Sequence, residues 1–139
     1  MAIDTAIVDA SALYAAIDEQ DAFHQPCAST LSQPTLRLVI PALCVAEVAY
    51  MVEKRLGAEV EARFLEGLAE LDVRAPELED WVRIGELVRQ YADFPLGGTD
   101  ASVVALAERL KTDIVVTLDR RHFATVRPTH CESLRILPE

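Results

Sequence analysis

The residues that decide the fold are residues 97–123, which read GGTDASVVALAERLKTDIVVTLDRRHF. This pattern predicts a turn, a helix, a buried strand over residues 114–117 and a second turn. Asp100 lies at the start of the predicted helix, where Thr99 is expected to be the N-cap, and Asp119 follows the strand. Asp100 shares its helix face with the apolar residues at i+3, i+4 and i+7, so we expect its carboxylate on the buried side. An aspartate that only complements the helix dipole is the alternative.

Two further acids occupy comparable places earlier in the chain. The apolar run over residues 6–8 predicts a central strand, and Asp9 follows it directly. Glu47 lies in the helix predicted over residues 42–56, where spacings of four, three and one group it with Leu43, Tyr50 and Met51. A carboxylate on such an apolar stripe is costly unless it has a partner. The alternatives are that Asp9 caps the next helix and that Glu47 pairs with an arginine.

Helices and apolar strands alternate along the chain, which predicts an α/β fold with a mostly parallel central sheet and helices on both faces. The expected strands cover residues 6–8, 36–40, 71–75, 114–117 and 134–137. The expected helices cover residues 10–17, 21–33, 42–56 and 58–71, a segment that begins at Pro76, and residues 99–111. Trp81 is interpreted as a core or interface anchor rather than a base-stacking platform. At this length, one domain over residues 1–139 is expected.

Composition excludes several classes of protein. The 13 basic and 23 acidic residues give a formal net charge of −10, which argues against a simple DNA-binding module. Cys27, Cys44 and Cys131 are odd in number and widely spaced, so neither a disulfide framework nor a zinc site is expected, and reduced thiols in the cytoplasm fit. The N-terminus lacks the features of a signal peptide, and no apolar run is long enough to span a membrane.

The four acids Asp9, Glu47, Asp100 and Asp119 are interpreted as one divalent-metal site. Strands that run parallel present their carboxyl ends at one edge of the sheet, where open α/β sheets bind ligands. Clustered carboxylates need a counter-charge, and hard oxygen ligands suit Mg²⁺ or Mn²⁺. Asp9 and Asp100 are expected to bind the metal directly, while Glu47 and Asp119 act through water or orient the attacking water. The number of metal ions stays open.

Three polar residues are accessory candidates for this site. Ser11 and Thr117 lie beside the acids and are expected to hold a metal-bound water or a phosphate, with a local cap or strand hydroxyl as the alternative. Asp93 precedes the Pro-Gly loop, where it joins the site or serves the turn.

The basic residues are concentrated near the last acid. Residues 109–135 contain six arginines and lysines against three acids, although the whole chain is acidic. Arg120, Arg121 and His122 directly follow Asp119, so we expect them to contact a polynucleotide backbone at the site. Ordinary surface pairing with the acidic helices is the alternative.

Four segments together resemble the motifs of the PIN-domain nucleases. The resemblance is strongest to the VapC toxins of bacterial type II toxin–antitoxin pairs, particularly the mycobacterial ones. The four segments are IVDAS at residues 7–11, AEV at residues 46–48, LGGTDAS at residues 96–102 and VTLDRRHF at residues 116–123. Each motif alone is weak, but all four in this order, with the expected elements between them, make a specific signal.

The resemblance implies a PIN-like α/β/α sandwich and Mg²⁺- or Mn²⁺-dependent cleavage of RNA by a metal-activated water. It implies a homodimer and a VapB-type antitoxin whose tail covers the acidic pocket. Carried over residue by residue, the site acids are Asp9, Glu47, Asp100 and Asp119, and none is missing. A catalytically silent PIN module that binds metal, RNA or antitoxin is the main alternative. A phosphatase that uses Asp9 as nucleophile is disfavoured, because a serine stands where its second acid is needed.

Overall fold

The centre of the molecule is a parallel sheet of five strands, as seen in a computed structural model that describes residues 2–139. The strands are β1 (Asp4–Val8), β2 (Leu36–Pro41), β3 (Asp72–Arg74), β4 (Ile114–Val116) and β5 (Arg135–Leu137). Their order across the sheet is β3-β2-β1-β4-β5, and every neighbouring pair is parallel. The strands predicted from the sequence are therefore confirmed in number and order, within two residues at each end.

Seven helices connect and cover the strands in the described part of the chain. They are α1 (Ala10–Ile17), α2 (His24–Leu31), α3 (Ala42–Leu56), α4 (Ala58–Gly67), α5 (Leu78–Gln90), α6 (Gly98–Leu110) and α7 (Arg120–Thr125). A 3₁₀ turn at Leu68–Glu70 follows α4. The expected α/β/α architecture is confirmed, because parallel neighbours require crossover connections that place helices on the sheet faces.

The core lies around the two central strands. Ile7, Val8, Val115 and Val116 are completely buried, as expected for strands covered on both faces. Helix α6 is buried along the whole of residues 101–107, and it contacts β1, β2, β4, α3 and α5. Its alanines and valines let it pack closely against the sheet while α5 covers its outer side. The helix that carries Asp100 is therefore held rigidly from several directions.

Four helices differ from the sequence prediction. Helix α2 covers His24–Leu31 rather than residues 21–33, and α4 ends at Gly67 rather than at residue 71. Gly97 is the N-cap of α6 and Gly98 its first residue, so the prediction that Thr99 is the N-cap is wrong. The second turn of the deciding segment continues as the short helix α7, which the sequence did not predict. Six residues are too few to show helical periodicity, so the only local signal is the aspartate at the N-cap.

Two predicted helix faces are also wrong. The buried face of α3 consists of Cys44, Val48 and Val52, whereas Tyr50 is 60% exposed. Glu47 therefore does not lie on the buried stripe of its helix. Trp81 is 51% exposed, so it is not a core residue, although its exposure leaves an interface role open.

The buried residues of α5 are Asp80, Ile84 and Leu87. Periodicity identified which residues share a face of each helix, but the neighbouring elements, such as α6 beside α5, decided which face is covered. Within residues 2–139, no helix is both long and apolar enough to cross a lipid bilayer.

Candidate metal centre

Asp9 and Asp119 lie at the same edge of the sheet because their strands are parallel neighbours. β1 pairs with β4 so that Val8 is opposite Val116, and the backbone N–H of Asp9 donates to the carbonyl of Val116 at 2.9 Å. Each aspartate follows the carboxyl end of its strand within three residues. This edge is where ligands bind in open parallel sheets.

The Asp9 carboxylate is buried and held by two hydroxyl groups. Asp9 as a whole residue is only 3% exposed. Its Oδ2 accepts hydrogen bonds from Ser11 Oγ at 2.9 Å and from Thr117 Oγ1 at 2.8 Å. Asp9 occupies the N-cap position of α1 but makes no side-chain capping bond. The alternative that Asp9 or Ser11 simply caps α1 is therefore not what the structure shows.

The same two hydroxyl groups connect Asp9 to the loop that carries Asp119. Ser11 Oγ accepts from the backbone N–H of Leu118 at 3.0 Å, and Thr117 Oγ1 accepts from the backbone N–H of Asp119 at 3.0 Å. The hydroxyl oxygens lie 3.2 Å apart. Both accessory residues thus contact the acids through hydrogen bonds, and they fix one orientation of the Asp9 carboxylate.

Asp119 combines a structural and an electrostatic role. It is the N-cap of α7, where Oδ1 accepts from the backbone N–H of His122 at 3.1 Å. Its other oxygen, Oδ2, lies 2.6 Å from His122 Nδ1, and Asp100 Oδ2 lies 3.3 Å from the same nitrogen. His122 therefore turns toward the acids, and its contact with an RNA backbone at the site stays a prediction. This side-chain direction depends on α7, which periodicity did not reveal.

The four acids influence one another electrostatically. Burial raises the pKa of Asp100 to about 6, and the negative charges of Asp9, Asp119 and Glu47 contribute to this rise, while His122 opposes it. The pKa of Glu47 is also raised, first by burial and then by the charge of Asp9. Glu47 is exposed as a whole residue, while its carboxyl group is partly removed from water, so this group lies at the rim of the site. The structure thus brings together all four acids that the sequence singled out.

The closest group of possible ligand atoms contains two of the four acids and one histidine. Ligand atoms of Asp100, Asp119 and His122 all lie within 4.8 Å of one another. In the described part of the chain this is the one such group, and neither Asp9 nor Glu47 belongs to it. That Asp9 and Asp100 bind the metal directly, while Glu47 and Asp119 act through water, stays a prediction. Sequence spacing cannot show which side chains of an acidic cluster converge, because their directions depend on the residue at which each helix begins.

These residues fit a divalent cation. Carboxylate oxygens and an imidazole nitrogen are ordinary ligands of divalent metals. Burial and the neighbouring negative charges raise the pKa of Asp100 to about 6, and a bound cation would oppose both effects.

The remaining predicted residues lie around this centre. Arg120 and Arg121 are exposed in the first turn of α7, where Arg120 donates to the Pro138 carbonyl and the Arg121 guanidinium lies 5.5 Å from the Phe94 ring centroid. Within residues 2–139, neither arginine forms a salt bridge, so pairing with the acidic helices is not observed. Asp93 is exposed in the loop before α6 and is not part of the close group.

The cysteines are free thiols in the structure. Cys27 and Cys44 are buried, and Cys131 is half-buried. The pKa of the Cys44 thiol is raised by burial and by the nearby charge of Asp9. A thiol with a raised pKa stays protonated at neutral pH, so Cys44 is a packing residue behind the acids and not a nucleophile.

Comparison with known proteins agrees with this geometry. The family model of the PIN domain matches residues 6–127. The chain is 36% identical over 137 residues to ribonuclease VapC26 of Mycobacterium tuberculosis, and the match covers 95% of this chain and 99% of the relative.

Solved structures agree with the fold. The crystal structure of M. tuberculosis VapC20, a sarcin–ricin loop cleaving toxin, superposes with a TM-score of 0.76 at 14% identity and covers 91% of this chain and 98% of its own. DNA-bound VapBC from Salmonella typhimurium gives a TM-score of 0.70 at 20% identity, with 96% and 97% coverage. The four motifs, the parallel sheet and these matches place this chain in the PIN domain family, among the VapC proteins.

Proposed function

We propose that this chain is a metal-dependent endoribonuclease and the toxin of a VapBC type II toxin–antitoxin pair, with residues 1–139 forming one PIN domain. The observation that carries this proposal is the convergence of acids at the carboxyl edge of the parallel sheet, where ligand atoms of Asp100 and Asp119 lie within 4.8 Å of each other. Burial and three neighbouring carboxylates raise the pKa of Asp100 to about 6, which agrees with this geometry. In the described chain, His122 is the only basic side chain within 4.0 Å of any of the four carboxylates, and one imidazole carries at most one positive charge. The accumulation of these carboxylates at the ligand-binding edge of the sheet supports a cation-dependent reaction.

The acids proposed to hold the cation are Asp9, Glu47, Asp100 and Asp119, and the cation proposed is Mg²⁺ or Mn²⁺. Carboxylates favour these hard ions, and a bound divalent ion supplies a Lewis acid that stabilises charge on a phosphoryl oxygen and lowers the pKa of a water molecule. Ser11 and Thr117 keep the buried Asp9 oxygen in one orientation through their hydrogen bonds. Because this oxygen is already oriented, no free energy is needed to reorient it during the reaction.

The reaction proposed is in-line hydrolysis of an RNA phosphodiester bond. The oxygen of water attacks phosphorus, the bond to the 3′ oxygen breaks, and that oxygen takes up a proton, which leaves 5′-phosphate and 3′-hydroxyl ends. Glu47 at the rim, with its raised pKa, is suited to orient the attacking water. Arg120 and Arg121 are exposed beside the acids and free of carboxylate partners in the described chain, so they are suited to contact the RNA backbone.

The partners proposed are an RNA substrate, a VapB-type antitoxin and a second copy of this chain, in the cytoplasm. The similarity to ribonuclease VapC26 and to a chain solved as VapBC supports these assignments. An antitoxin that inserts an arginine among the four carboxylates would inhibit the enzyme, because its guanidinium would take the place of the cation's charge.

The test is cleavage of total cellular RNA by the purified chain with Mg²⁺, with Mn²⁺ and with EDTA. Asp100→Asn removes one of the clustered charges, and Asp113→Asn is the matched control, because Asp113 is exposed and precedes β4, at the opposite edge of the sheet from the acids. We expect discrete, metal-dependent fragments from the wild type and from Asp113→Asn, and none from Asp100→Asn. Sequencing the fragment ends would identify the RNA that is cut.

Equal cleavage by the wild type and Asp100→Asn would contradict the assignment of the site. Absence of cleavage in all preparations, with metal binding retained, would favour the catalytically silent PIN module.

A further inference from the structure

His122 is the only one of the three histidines whose ring faces the acids. His24 Nδ1 lies 2.9 Å from the carbonyl of Ala15, and His130 Nε2 lies 2.7 Å from the carbonyl of Thr112. His122 Nδ1 instead lies 2.6 Å from Asp119 Oδ2 and 3.3 Å from Asp100 Oδ2. One ring nitrogen thus faces two carboxylates that come from different parts of the fold.

The direction of this ring is fixed by its surroundings. The backbone N–H of His122 donates to Asp119, which ties the start of α7 to the same carboxylate that the ring contacts. Phe94 packs edge-to-face on the imidazole, with ring centroids 4.9 Å apart. The His122 side chain is only 23% exposed. These contacts hold Nδ1 toward the acids before any ligand arrives, and such preorganisation is typical of metal-binding histidines.

The spacing of the three atoms matches a metal coordination shell. Adjacent ligands of a six-coordinate ion with bonds of about 2.1 Å lie roughly 3 Å apart, and opposite ligands about 4 Å. The distances of 2.6 Å from Nδ1 to Asp119 Oδ2 and 3.3 Å to Asp100 Oδ2 are close to the spacing of adjacent ligands. Ligand atoms of the three residues all lie within 4.8 Å of one another. Building on the proposed function, we propose that His122 Nδ1 is itself a ligand of the divalent cation, together with Asp100 and Asp119.

A nitrogen ligand changes which metals the site prefers. Imidazole favours first-row transition metals over Mg²⁺, whereas a site of carboxylates alone does not make this distinction as strongly. His122 would therefore raise the affinity for Co²⁺ and Mn²⁺ relative to Mg²⁺. A histidine that only positions Asp119 through its N–H would have no such selective effect.

Two substitutions separate these roles. His122→Asn places an amide N–H close to the position of Nδ1, so it can still donate to Asp119, but an amide nitrogen is not a metal ligand. His122→Ala removes both functions. If Nδ1 binds the metal, we expect both variants to lose about 10-fold or more of the affinity for Co²⁺, and much less of the affinity for Mg²⁺. If His122 only positions Asp119, His122→Asn keeps the wild-type affinities.

The direct measurement is pulsed electron paramagnetic resonance of the Mn²⁺-loaded full chain, which detects ¹⁴N coupling from a coordinated imidazole. We expect this coupling in the wild type and in the control His24→Gln, and its loss in His122→Asn. Calorimetric titration of each protein with Co²⁺ and with Mg²⁺ gives the affinities. Circular dichroism establishes that each variant is folded.

The outcomes also separate this inference from the proposed function. Mn²⁺ binding that Asp100→Asn abolishes, but that shows no ¹⁴N coupling in the wild type, would overturn the role of His122 and leave the carboxylate site in place. Wild-type protein that binds no divalent cation would overturn both proposals. Unchanged Co²⁺ affinity in both His122 variants would also exclude His122 as a ligand.

Discussion

Thr117 donates its hydroxyl hydrogen to Asp9 Oδ2 at 2.8 Å, which joins two residues that are 108 positions apart in the chain. The bond forms because β1 and β4 are parallel neighbours in register, so the residues that follow them meet at one edge of the sheet. Thr117 also accepts from the backbone N–H of Asp119. A single hydroxyl thus connects the buried acid of the first strand with the acid that caps α7.

Thr117→Val tests this connection, because it preserves the shape of the side chain and removes the hydroxyl. We expect RNA cleavage to fall by about 10- to 100-fold, as for other residues that orient metal ligands. We expect the free energy of unfolding to fall by about 1–3 kcal/mol, since the backbone N–H of Asp119 and the Asp9 oxygen lose a partner. Single-turnover cleavage and urea denaturation measure the two effects. Thr125→Val is the control, because the Thr125 hydroxyl donates only within α7; an equal loss of activity in both variants would contradict the prediction.

Asp100→Asn is expected to stabilise the protein when metal is removed by EDTA. The pKa of Asp100 is about 6 in the folded protein against an ordinary value of 3.8, so the folded state binds more protons between these values. The stability of the wild type therefore falls as pH rises through this window, and it stays lower above pH 6. An asparagine at this position cannot ionise, so the variant does not show this decrease.

We expect the stability difference to be near zero below pH 4 and to reach at most about 3 kcal/mol above pH 6. Thermal denaturation of both proteins in EDTA from pH 4 to pH 8 measures it. A difference that does not change with pH would show that burial and the neighbouring carboxylates do not raise the pKa of Asp100. The experiment needs no catalytic activity, so it tests the electrostatics of the site independently of RNA cleavage.

Arg83→Ala is expected to destabilise the packing of α5 on α6. Arg83 Nε and Nη2 donate to the two carboxylate oxygens of Glu108 at 2.8 and 2.9 Å, and the Glu108 side chain is only 9% exposed. Burial alone would raise the pKa of Glu108, but the bonds from Arg83 and Thr129 lower it. Removal of Arg83 leaves a buried carboxylate with one partner fewer, so we expect a decrease of about 2–3 kcal/mol in unfolding free energy at pH 7.

The matched control for the Arg83→Ala variant is Arg63→Ala. Arg63 and Glu59 are 4.0 Å apart, and their side chains are 68% and 84% exposed. Exposed pairs contribute little, so urea denaturation should show a change below about 0.5 kcal/mol. Because the folded pKa of Glu108 is lowered, its contribution is present at neutral pH and is lost as pH falls. The difference between wild type and Arg83→Ala should accordingly shrink in acid.

Arg120→Gln with Arg121→Gln is expected to weaken RNA binding without abolishing the reaction. Both residues are exposed beside the acids, and neither is part of the close group of ligand atoms. We expect KM to rise several-fold at about 150 mM salt. In a plot of the logarithm of the RNA-binding constant against the logarithm of the salt concentration, we expect the slope to become shallower by about one for each phosphate that is no longer bound. The control is Arg63→Gln, which removes an exposed positive charge on α4. An unchanged salt dependence in the double variant would exclude binding of the RNA backbone by these arginines.

The sequence alone determined the sheet and the identity of the acids. Apolar runs of a few residues between helical segments are typical of buried strands in a parallel sheet, and the bounds of α3 at Ala42–Leu56 match the predicted helix. Once the strands are parallel neighbours, Asp9 and Asp119 must meet at one edge. Local pattern and chain connectivity were sufficient for these conclusions.

Only the tertiary structure decided which way several side chains point. Periodicity placed Glu47 with Leu43 and Tyr50, but the sheet covers the neighbouring face of α3, and this puts Glu47 at the rim of the site. The sequence indicated His122 only as a residue that contacts a polynucleotide backbone. The structure adds that Asp119 is the N-cap of a short helix and that the His122 ring turns toward this carboxylate. The direction of a side chain depends on where its helix starts and on what packs against it, and neither is encoded in the residues next to it.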